Sequence, residues 1–175
     1  MSLDARDVVA VVSALEGTGV EVWVEGGWGV DALLGYQRRP HKDLDLVVRT
    51  ADAERCQSLL KTHGFIPVSG TPPTGYLTRD VSGRAVDVRV VTFEPDGSAV
   101  YRADEPDEWI YPPGAFDGRG SIAEVEVRCL TAEGQMLAHT GYAYTDKDVA
   151  EVWALHDAFG TAIPSAYTAT GRPER

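Results

Sequence analysis

Apolar and polar residues follow two periods along the chain, one typical of helices and one typical of strands. Residues 4–15 carry valine and leucine at helical spacing, which predicts a first helix. Residues 20–25 alternate and are rich in valine, which predicts a strand that the Gly26-Gly27 pair interrupts. The same criteria predict a short helix at 30–34, a strand at 43–48, a helix at 52–63 and a short strand at 66–69.

The second half of the chain begins with a predicted hairpin over 76–91, in which Gly83 supplies the turn. Residues 93–119 are rich in proline, glycine and acidic residues and show little periodicity, so we expect a long loop or lid there. Alternation returns at 121–130, and helices are predicted at 132–139 and 146–159.

This order of elements predicts an α+β fold: a mixed β-sheet with helices packed on one side and a short helical C-terminal part. The chain has 175 residues, which is the size of one domain. We therefore expect a single domain over 1–175, with a core at about 4–131 and a helical segment at about 132–160.

Composition and charge narrow the possible partners. The net charge of −11 disfavours nucleic acid and anionic membranes, and it suits a cationic or Mg²⁺-carried small molecule. No segment approaches the roughly 20 apolar residues that cross a bilayer, and the N-terminus lacks the pattern of a signal peptide. A cytoplasmic protein is expected. The two cysteines are expected to be buried free thiols, and the oligomeric state is not readable from the sequence.

Asp43 and Asp45 are the first candidates for chemistry. They lie two positions apart on a predicted strand, so both carboxylates emerge from one face, roughly 6.6 Å apart along the backbone. Two neighbouring carboxylates repel each other, and Mg²⁺ with its preference for oxygen ligands relieves that repulsion. The alternative is a solvated edge of the sheet.

The Gly26-Gly27 pair precedes a predicted helix. Glycines at this point let the backbone approach a phosphate, and the helix N-terminus supplies free N–H groups. A plain strand-to-helix turn is the alternative. The sequence here is neither a P-loop nor the Gly-x-Gly-x-x-Gly dinucleotide pattern.

A third carboxylate, Asp87, lies in the middle of a predicted strand. A carboxylate in such a place needs a partner, because burying it bare costs several kcal/mol. The partner is either an arginine such as Arg84 or Arg89, or a metal ion. A Gly-Gly turn, an Asp-x-Asp strand and a later aspartate together describe a two-metal phosphoryl-transfer site.

The segments from Gly26 to Gly35 and from Arg39 to Asp45 resemble the small antibiotic nucleotidyltransferases of the DNA polymerase β-like superfamily. These are the aminoglycoside 2″-adenylyltransferases and the lincosamide nucleotidyltransferases. The fifteen residues between Gly27 and Asp43 match the long spacing of that subfamily, and residues 127–130 and 139–142 resemble its C-terminal half.

The resemblance implies a polymerase β-like nucleotidyltransferase fold and a metal site. Asp43 and Asp45 would ligate two Mg²⁺ ions, and Asp87 would complete the site. Asp87 or a nearby acid would take the proton of an acceptor hydroxyl, which attacks the α-phosphorus of a nucleoside triphosphate, expected to be ATP, and releases pyrophosphate. The candidate triphosphate contacts are Gly26, Gly27, Arg39, His41 and Lys42, of which the last three could equally be solvated loop residues.

The acceptor is expected to be a hydroxyl of a small molecule, with antibiotic resistance as the implied role. Residues 94–108 contain six acidic residues and one basic residue, Arg102. This negative charge would attract a polycationic aminoglycoside, although a solvated loop explains the same composition. Trp109, Tyr111 and Phe116 either stack on a sugar or base or anchor the loop.

Two other functions remain open at this point. The chain could be a non-catalytic module of the same fold that binds a nucleotide or a partner, as toxin–antitoxin-like modules do. It could also transfer a nucleotide to a hydroxyl of RNA or of a protein. Intact Asp43, Asp45 and Asp87 disfavour the first, and the net charge disfavours RNA.

Overall fold

The computed structural model describes residues 2–102 and 108–168. Its helices are α1 Ala5–Glu16, α2 Gly26–Leu34, α3 Ala53–Thr62, α4 Ala132–Ala138, α5 Asp146–Phe159 and α6 Ser165–Thr168. Its strands are β1 Val22–Glu25, β2 Asp43–Arg49, β3 Ile66–Gly70, β4 Tyr76–Arg79, β5 Ala85–Phe93, β6 Ala99–Arg102, β7 Glu108–Tyr111, β8 Gly118–Ile122 and β9 Val125–Cys129.

The strands form one mixed sheet in the order β3-β4-β5-β2-β1-β9-β8, and β6 and β7 extend it beside the second half of β5. Strand β2 is parallel to β5, and β1 is parallel to β9. The remaining pairs are antiparallel. The predicted α+β fold with a mixed sheet is therefore confirmed.

One face of the sheet is covered by α1, α2 and α3. Every second residue of the central strands points into this layer, as the valines of β1 and the leucines of β2 show. Helix α1 begins at Asp4, whose carboxylate accepts hydrogen bonds from the N–H groups of Arg6 and Asp7. Burial of this apolar layer is the main stabilising contribution to the fold.

The opposite face is divided into an apolar end and a polar end. Trp23, Val47 and Val91 pack at the apolar end against the β6–β7 hairpin and Phe116. The polar end, near the start of β2 and β5, carries the acidic residues. The sheet thus places its charged side chains on the face that the first three helices leave free.

A separate small core holds the C-terminal helices. Val30 of α2 packs there with Met136 of α4, Val152 and Leu155 of α5 and Tyr167 of α6. This contact brings α4 and α5 beside the Gly26-Gly27 turn. The predicted helical C-terminal part is confirmed.

The prediction of a long loop over 93–119 is wrong for much of that segment. Strands β6 and β7 form a hairpin within it, because Val100 and Ile110 and their neighbours pair across the strands despite the low periodicity of the segment. The expected continuous strand over 121–130 is likewise divided into β8 and β9 by a tight turn at Ala123 and Glu124, both with positive φ. Within the described ranges, no helix is both long enough and apolar enough to span a membrane.

Candidate active site

The three predicted aspartates lie on one face of the sheet. Asp43 and Asp45 emerge together from β2, whereas the leucines next to them point into the helix-side core. Asp87 stands opposite Asp45 in the parallel pairing of β2 with β5, and Glu25 stands opposite Asp45 on β1. Glu25, Asp45 and Asp87 therefore form a row across three strands, with Asp43 one step away.

This row concentrates negative charge. Desolvation raises the pKa of Asp45 well above its usual value, and the nearby Asp43, Glu25 and Asp87 raise it further, while Arg89 acts in the opposite direction. The Asp87 side chain is exposed, yet partial desolvation by the cleft also raises its pKa. Oxygen ligands held beside each other in this way suit a divalent cation.

Asp87 forms no ion pair with either of the two arginines that the sequence suggested as its partner, Arg84 and Arg89. Arg84 binds Asp80 and Asp7 at 2.7 and 2.6 Å, and Arg89 does not donate to Asp87. In the part of the chain that the structure describes, Asp87 belongs to no ion pair. Its carboxylate is therefore open to a metal ion or a substrate.

Arg89 forms a buried cluster with Glu25 and Tyr111. Its Nη1 donates to Glu25 Oε1 and to the Tyr111 hydroxyl at 2.6 Å each, and that hydroxyl donates to the same Oε1 at 2.6 Å. Glu25 is only 3% exposed. This pairing keeps a cation at the floor of the cleft beside the acidic row.

The Gly26-Gly27 turn fits closely around its neighbours. Gly26 has a φ of +61°, and a Cβ there would lie 2.3 Å from Asp45 Oδ2. A Cβ at Gly27 would lie 2.3 Å from His41 Nδ1. Gln135 of α4 accepts a hydrogen bond from the Gly26 N–H at 3.1 Å. Helix α2 begins at Gly26 and not at residue 30, so the helix N-terminus lies at the glycine pair itself.

The three predicted loop cations have different environments. Arg39 binds Glu151 of α5 through Nε at 3.0 Å and through Nη2. His41 is buried, and its Nε2 lies 2.5 Å from Asp31 Oδ2. Lys42 is exposed and does not line the cavities described below.

His139 extends this network. Its Nδ1 lies 2.7 Å from the Gln135 carbonyl oxygen and its Nε2 lies 2.9 Å from Glu151 Oε2. Burial opposes a charge on His139, but the hydrogen bonds to Glu151 and Gln135 raise its pKa above the usual value. Both ring nitrogens face acceptors, which favours the protonated imidazole, and Glu151 lies between His139 and Arg39.

His139, Asp148 and Glu151 bring ligand atoms within 4.8 Å of one another, and no other such group of three is found among the described residues. Asp43, Asp45 and Asp87 are therefore spaced more widely than that. In this cluster the side chains already hydrogen-bond within the protein, His139 to Glu151 and the Gln135 carbonyl and Asp148 to Thr145. Mg²⁺ keeps waters and phosphate oxygens among its ligands and is bound through only one or two carboxylates, so a site at the aspartates does not require three carboxylates within that distance.

Three cavities open around the acidic row. The glycine cavity, about 190 Å³, contains Gly26, Gly27, Asp43, Asp45 and the basic side chains Arg39, His41, His139 and Lys147. The β4 cavity, about 360 Å³, contains Asp45, Asp87, Ser69, Gly75 and Tyr76. The aromatic cavity, about 180 Å³, contains Tyr101, Trp109, Thr140 and Tyr142.

Several residues of these cavities were not predicted from the sequence. Glu25 and Arg89 could have been found, because strand alternation places them on the face of Asp45 and Asp87. Lys147 and Glu151 carried no local signal, since α5 reaches the glycine cavity only through tertiary packing.

The acidic segment 94–108 lies only partly in the described structure. Asp104, Glu105 and Asp107 are outside the described residues. Glu94 and Asp96 follow the far end of β5, about seven residues or roughly 23 Å of strand from Asp87, so they do not border the cleft.

The aromatic residues of that region divide between cleft and core. Trp109 lines the aromatic cavity, whereas Tyr111 and Phe116 are buried at the apolar end of the opposite sheet face, with Trp23, Val47 and Val91.

Comparison with known proteins gives a consistent picture. A sequence profile described as aminoglycoside-2″-adenylyltransferase matches residues 7–155. A lincosamide resistance protein of Staphylococcus haemolyticus is 26% identical over 144 residues, which are 82% of this chain and 88% of that protein.

Solved structures share the fold. The lincosamide antibiotic adenylyltransferase LnuA with lincomycin bound aligns with a TM-score of 0.74 at 23% identity, over 86% of this chain and 94% of that one. ANT(2″)-Ia in complex with adenylyl-2″-tobramycin aligns with a TM-score of 0.71 at 19% identity, over 89% of each chain.

Proposed function

The chain belongs to the aminoglycoside-2″-adenylyltransferase family and is a nucleotidyltransferase, and we propose that it moves AMP from ATP to a hydroxyl group of a small molecule, with Mg²⁺ as cofactor. The main support for this proposal is the position of Asp43, Asp45 and Asp87 on one face of the sheet, beside the Gly26-Gly27 turn. An antibiotic is the acceptor class that the family suggests.

The residues present fit a divalent cation. Asp43, Asp45 and Asp87 supply carboxylate oxygens, the pKa values of Asp45 and Asp87 are raised by desolvation and nearby acids, and the missing side chain of Gly26 leaves room beside Asp45 Oδ2. Asp43, Asp45 and Asp87 would hold two Mg²⁺ ions. These ions would supply stabilisation of negative charge on the phosphoryl oxygens and on the leaving group.

The triphosphate fits the glycine cavity. Gly26 and Gly27 stand at the N-terminus of α2, where the first N–H groups have no partner within the helix and can bind anions, although the Gly26 N–H already donates to Gln135. Arg39 and His41 lie above Gly27. Lys147 lines the same cavity.

Transfer needs one bond to form and one to break. The acceptor oxygen bonds to the α-phosphorus, and the bond from that phosphorus to the oxygen bridging to the β-phosphorus breaks. Pyrophosphate leaves with the electron pair of that bond. Asp87, which lines the β4 cavity with an exposed carboxylate, accepts the hydroxyl proton.

Incubation of the protein with Mg²⁺, each of four nucleoside triphosphates and a panel of aminoglycosides, lincosamides and neutral sugars tests this function. We expect pyrophosphate release that depends on both Mg²⁺ and acceptor, with a product heavier by one AMP in mass spectrometry. Asp45→Asn is the inactive control. Triphosphate binding without pyrophosphate release under every condition would support a non-catalytic module. Pyrophosphate release with RNA or a protein in place of small molecules would support transfer to a hydroxyl of those macromolecules.

A further inference from the structure

Arg89 occupies a singular position among the cavities. Of the described residues, it alone lines the glycine, β4 and aromatic cavities together. Both of its hydrogen bonds to described residues leave from Nη1, toward Glu25 and Tyr111. The guanidinium carbon lies 5.0 Å from the centre of the Tyr101 ring. The Nε and Nη2 groups of its guanidinium donate no hydrogen bond to a described residue.

The reaction places the acceptor and the leaving group on opposite sides of the α-phosphorus, because attack is in line. The glycine cavity is lined by Lys147, by Arg39 and His41, which are paired with Glu151 and Asp31, and by the N-terminus of α2, which suits the leaving pyrophosphate. The β4 cavity shares Asp45 with it, contains Asp87 and lacks those three basic side chains. The β4 cavity is therefore the side suited to the acceptor hydroxyl.

The nucleoside stays bonded to the α-phosphorus during transfer. It must therefore extend to one side of the line that joins the acceptor oxygen to the leaving group. The aromatic cavity borders both of the others, since it shares Tyr142 with the glycine cavity and Tyr101 with the β4 cavity. Trp109 and these two tyrosines offer faces on which a base stacks. The three cavities into which the three substituents would extend thus all border Arg89.

We propose that Arg89 is a catalytic residue whose guanidinium contacts a non-bridging oxygen of the α-phosphoryl group during transfer. This assignment rests on the proposed function, because it takes the α-phosphorus as the reacting atom. Arginine keeps its charge at all working pH values and binds phosphoryl oxygens through its planar fork. Glu25 and Tyr111 fix that fork from the other side before substrate binds, so little reorganisation is needed.

Steady-state kinetics provide the first test, with Arg89→Gln, Arg89→Lys and the exposed Arg79→Gln on β4 as matched control. We expect Arg89→Gln to lower kcat about 100-fold, the usual effect of removing one donor to transition-state charge. The KM values for triphosphate and acceptor should change less than about threefold. Unchanged kcat, or a rise confined to the acceptor KM, overturns the proposal. Arg79→Gln should behave like the natural protein.

Phosphorothioates identify the atom that is contacted. The two diastereomers of a triphosphate with sulfur on the α-phosphorus differ in which non-bridging oxygen is replaced. If Arg89 contacts one of these oxygens, Arg89→Gln should reduce the rate penalty of sulfur for one diastereomer only. Equal penalties before and after the substitution contradict the contact.

A measurement that needs no transfer separates this proposal from the proposed function. The ³¹P resonances of bound α,β-methylene-ATP should move at the α-phosphorus in Arg89→Gln and stay in place at the γ-phosphorus. A shift only at the γ-phosphorus overturns the assignment, even if no acceptor is ever found. Because Arg89→Gln leaves Glu25 buried without its partner, the double variant Glu25→Gln, Arg89→Gln serves where the single one unfolds. It should regain stability but not kcat.

Discussion

Asp45 on β2 stands opposite Asp87 on β5 in the parallel pairing of the two strands, and their carboxylates emerge on the same face of the sheet. Glu25 extends the row on the other side of Asp45. Arg89 offsets charge on both aspartates, and it is already bound to Glu25. Among the described residues, this row therefore holds more negative charge than Arg89 neutralises.

Replacement of Asp45 by asparagine should abolish transfer without weakening the fold. The variant loses a ligand of the proposed metal site, so we expect pyrophosphate release to fall about 1,000-fold. Its melting temperature in the absence of Mg²⁺ should equal or exceed that of the natural protein, because desolvation and three nearby carboxylates penalise the charge. Glu54→Gln, an exposed acid on α3, is the control and should change neither quantity. Full activity in Asp45→Asn would remove the basis of the proposed function.

Gly27→Ala should impair nucleotide binding through a collision within the protein. Glycine at this position lets the backbone approach a phosphate, so a side chain here would occupy the phosphate position. The structure adds a closer obstacle, since a Cβ would lie 2.3 Å from His41 Nδ1 and 3.0 Å from Arg39 Nη2. We therefore expect lower affinity for α,β-methylene-ATP by calorimetry together with a loss of stability of about 1–3 kcal/mol, typical of overpacking.

The control for Gly27→Ala is Gly64→Asn, because Gly64 has a positive φ that asparagine tolerates and open space around it. It should leave nucleotide affinity unchanged. If Gly27→Ala binds the analogue normally, the glycine pair is only a turn between β1 and α2.

Local patterns predicted those parts of the site that depend on neighbouring residues. Alternation along β2 was enough to place Asp43 and Asp45 on one face. The pairing of Asp45 with Asp87 depends on the register between strands distant in the chain, which periodicity does not determine. The ion pair of Glu25 with Arg89 depends on the same non-local register.

One expectation about the fold failed for a physical reason. Proline, glycine and acidic residues between 93 and 119 concealed the short strands β6 and β7, whose pairing partners lie in the rest of the sheet. Lys42 stays a candidate phosphate contact that the family resemblance implies, and its side chain is exposed. Lys147 lines the glycine cavity because α5 packs against α2 and α4. The single-domain boundary over 1–175 stays a prediction.

Trp109→Ala should weaken ATP binding and leave tripolyphosphate binding unchanged. The aromatic cavity is the place that we propose for the base, and stacking on one aromatic ring contributes about 1–3 kcal/mol, or roughly a tenfold to hundredfold change in the dissociation constant. Tripolyphosphate has no base and should bind the glycine cavity equally well in both proteins. Calorimetry with the two ligands separates these contributions. Equal losses for both ligands, or none for ATP, would show that the base lies elsewhere, and Trp153→Ala on α5, outside all three cavities, is the control.

His139→Gln should destabilise the protein in a manner that depends on pH. The pKa of His139 is raised in the folded state: burial opposes the charge, but hydrogen bonds to Glu151 and the Gln135 carbonyl outweigh it, and Asp148 adds to them. A group whose pKa is raised on folding contributes its full stabilisation below its unfolded value of about 6.5, and this contribution is lost as pH rises through the folded value. Glu151, whose pKa is lowered, remains ionised throughout that range. Urea unfolding should therefore show a gap between the natural protein and His139→Gln of about 2 kcal/mol at pH 6, the size of a hydrogen bond to a charged group, and a smaller gap at pH 9. The exposed His63→Gln should show no such dependence. A His139 gap that grows with pH would mean that the imidazole is neutral in the fold and that Glu151 is balanced by Arg39 alone.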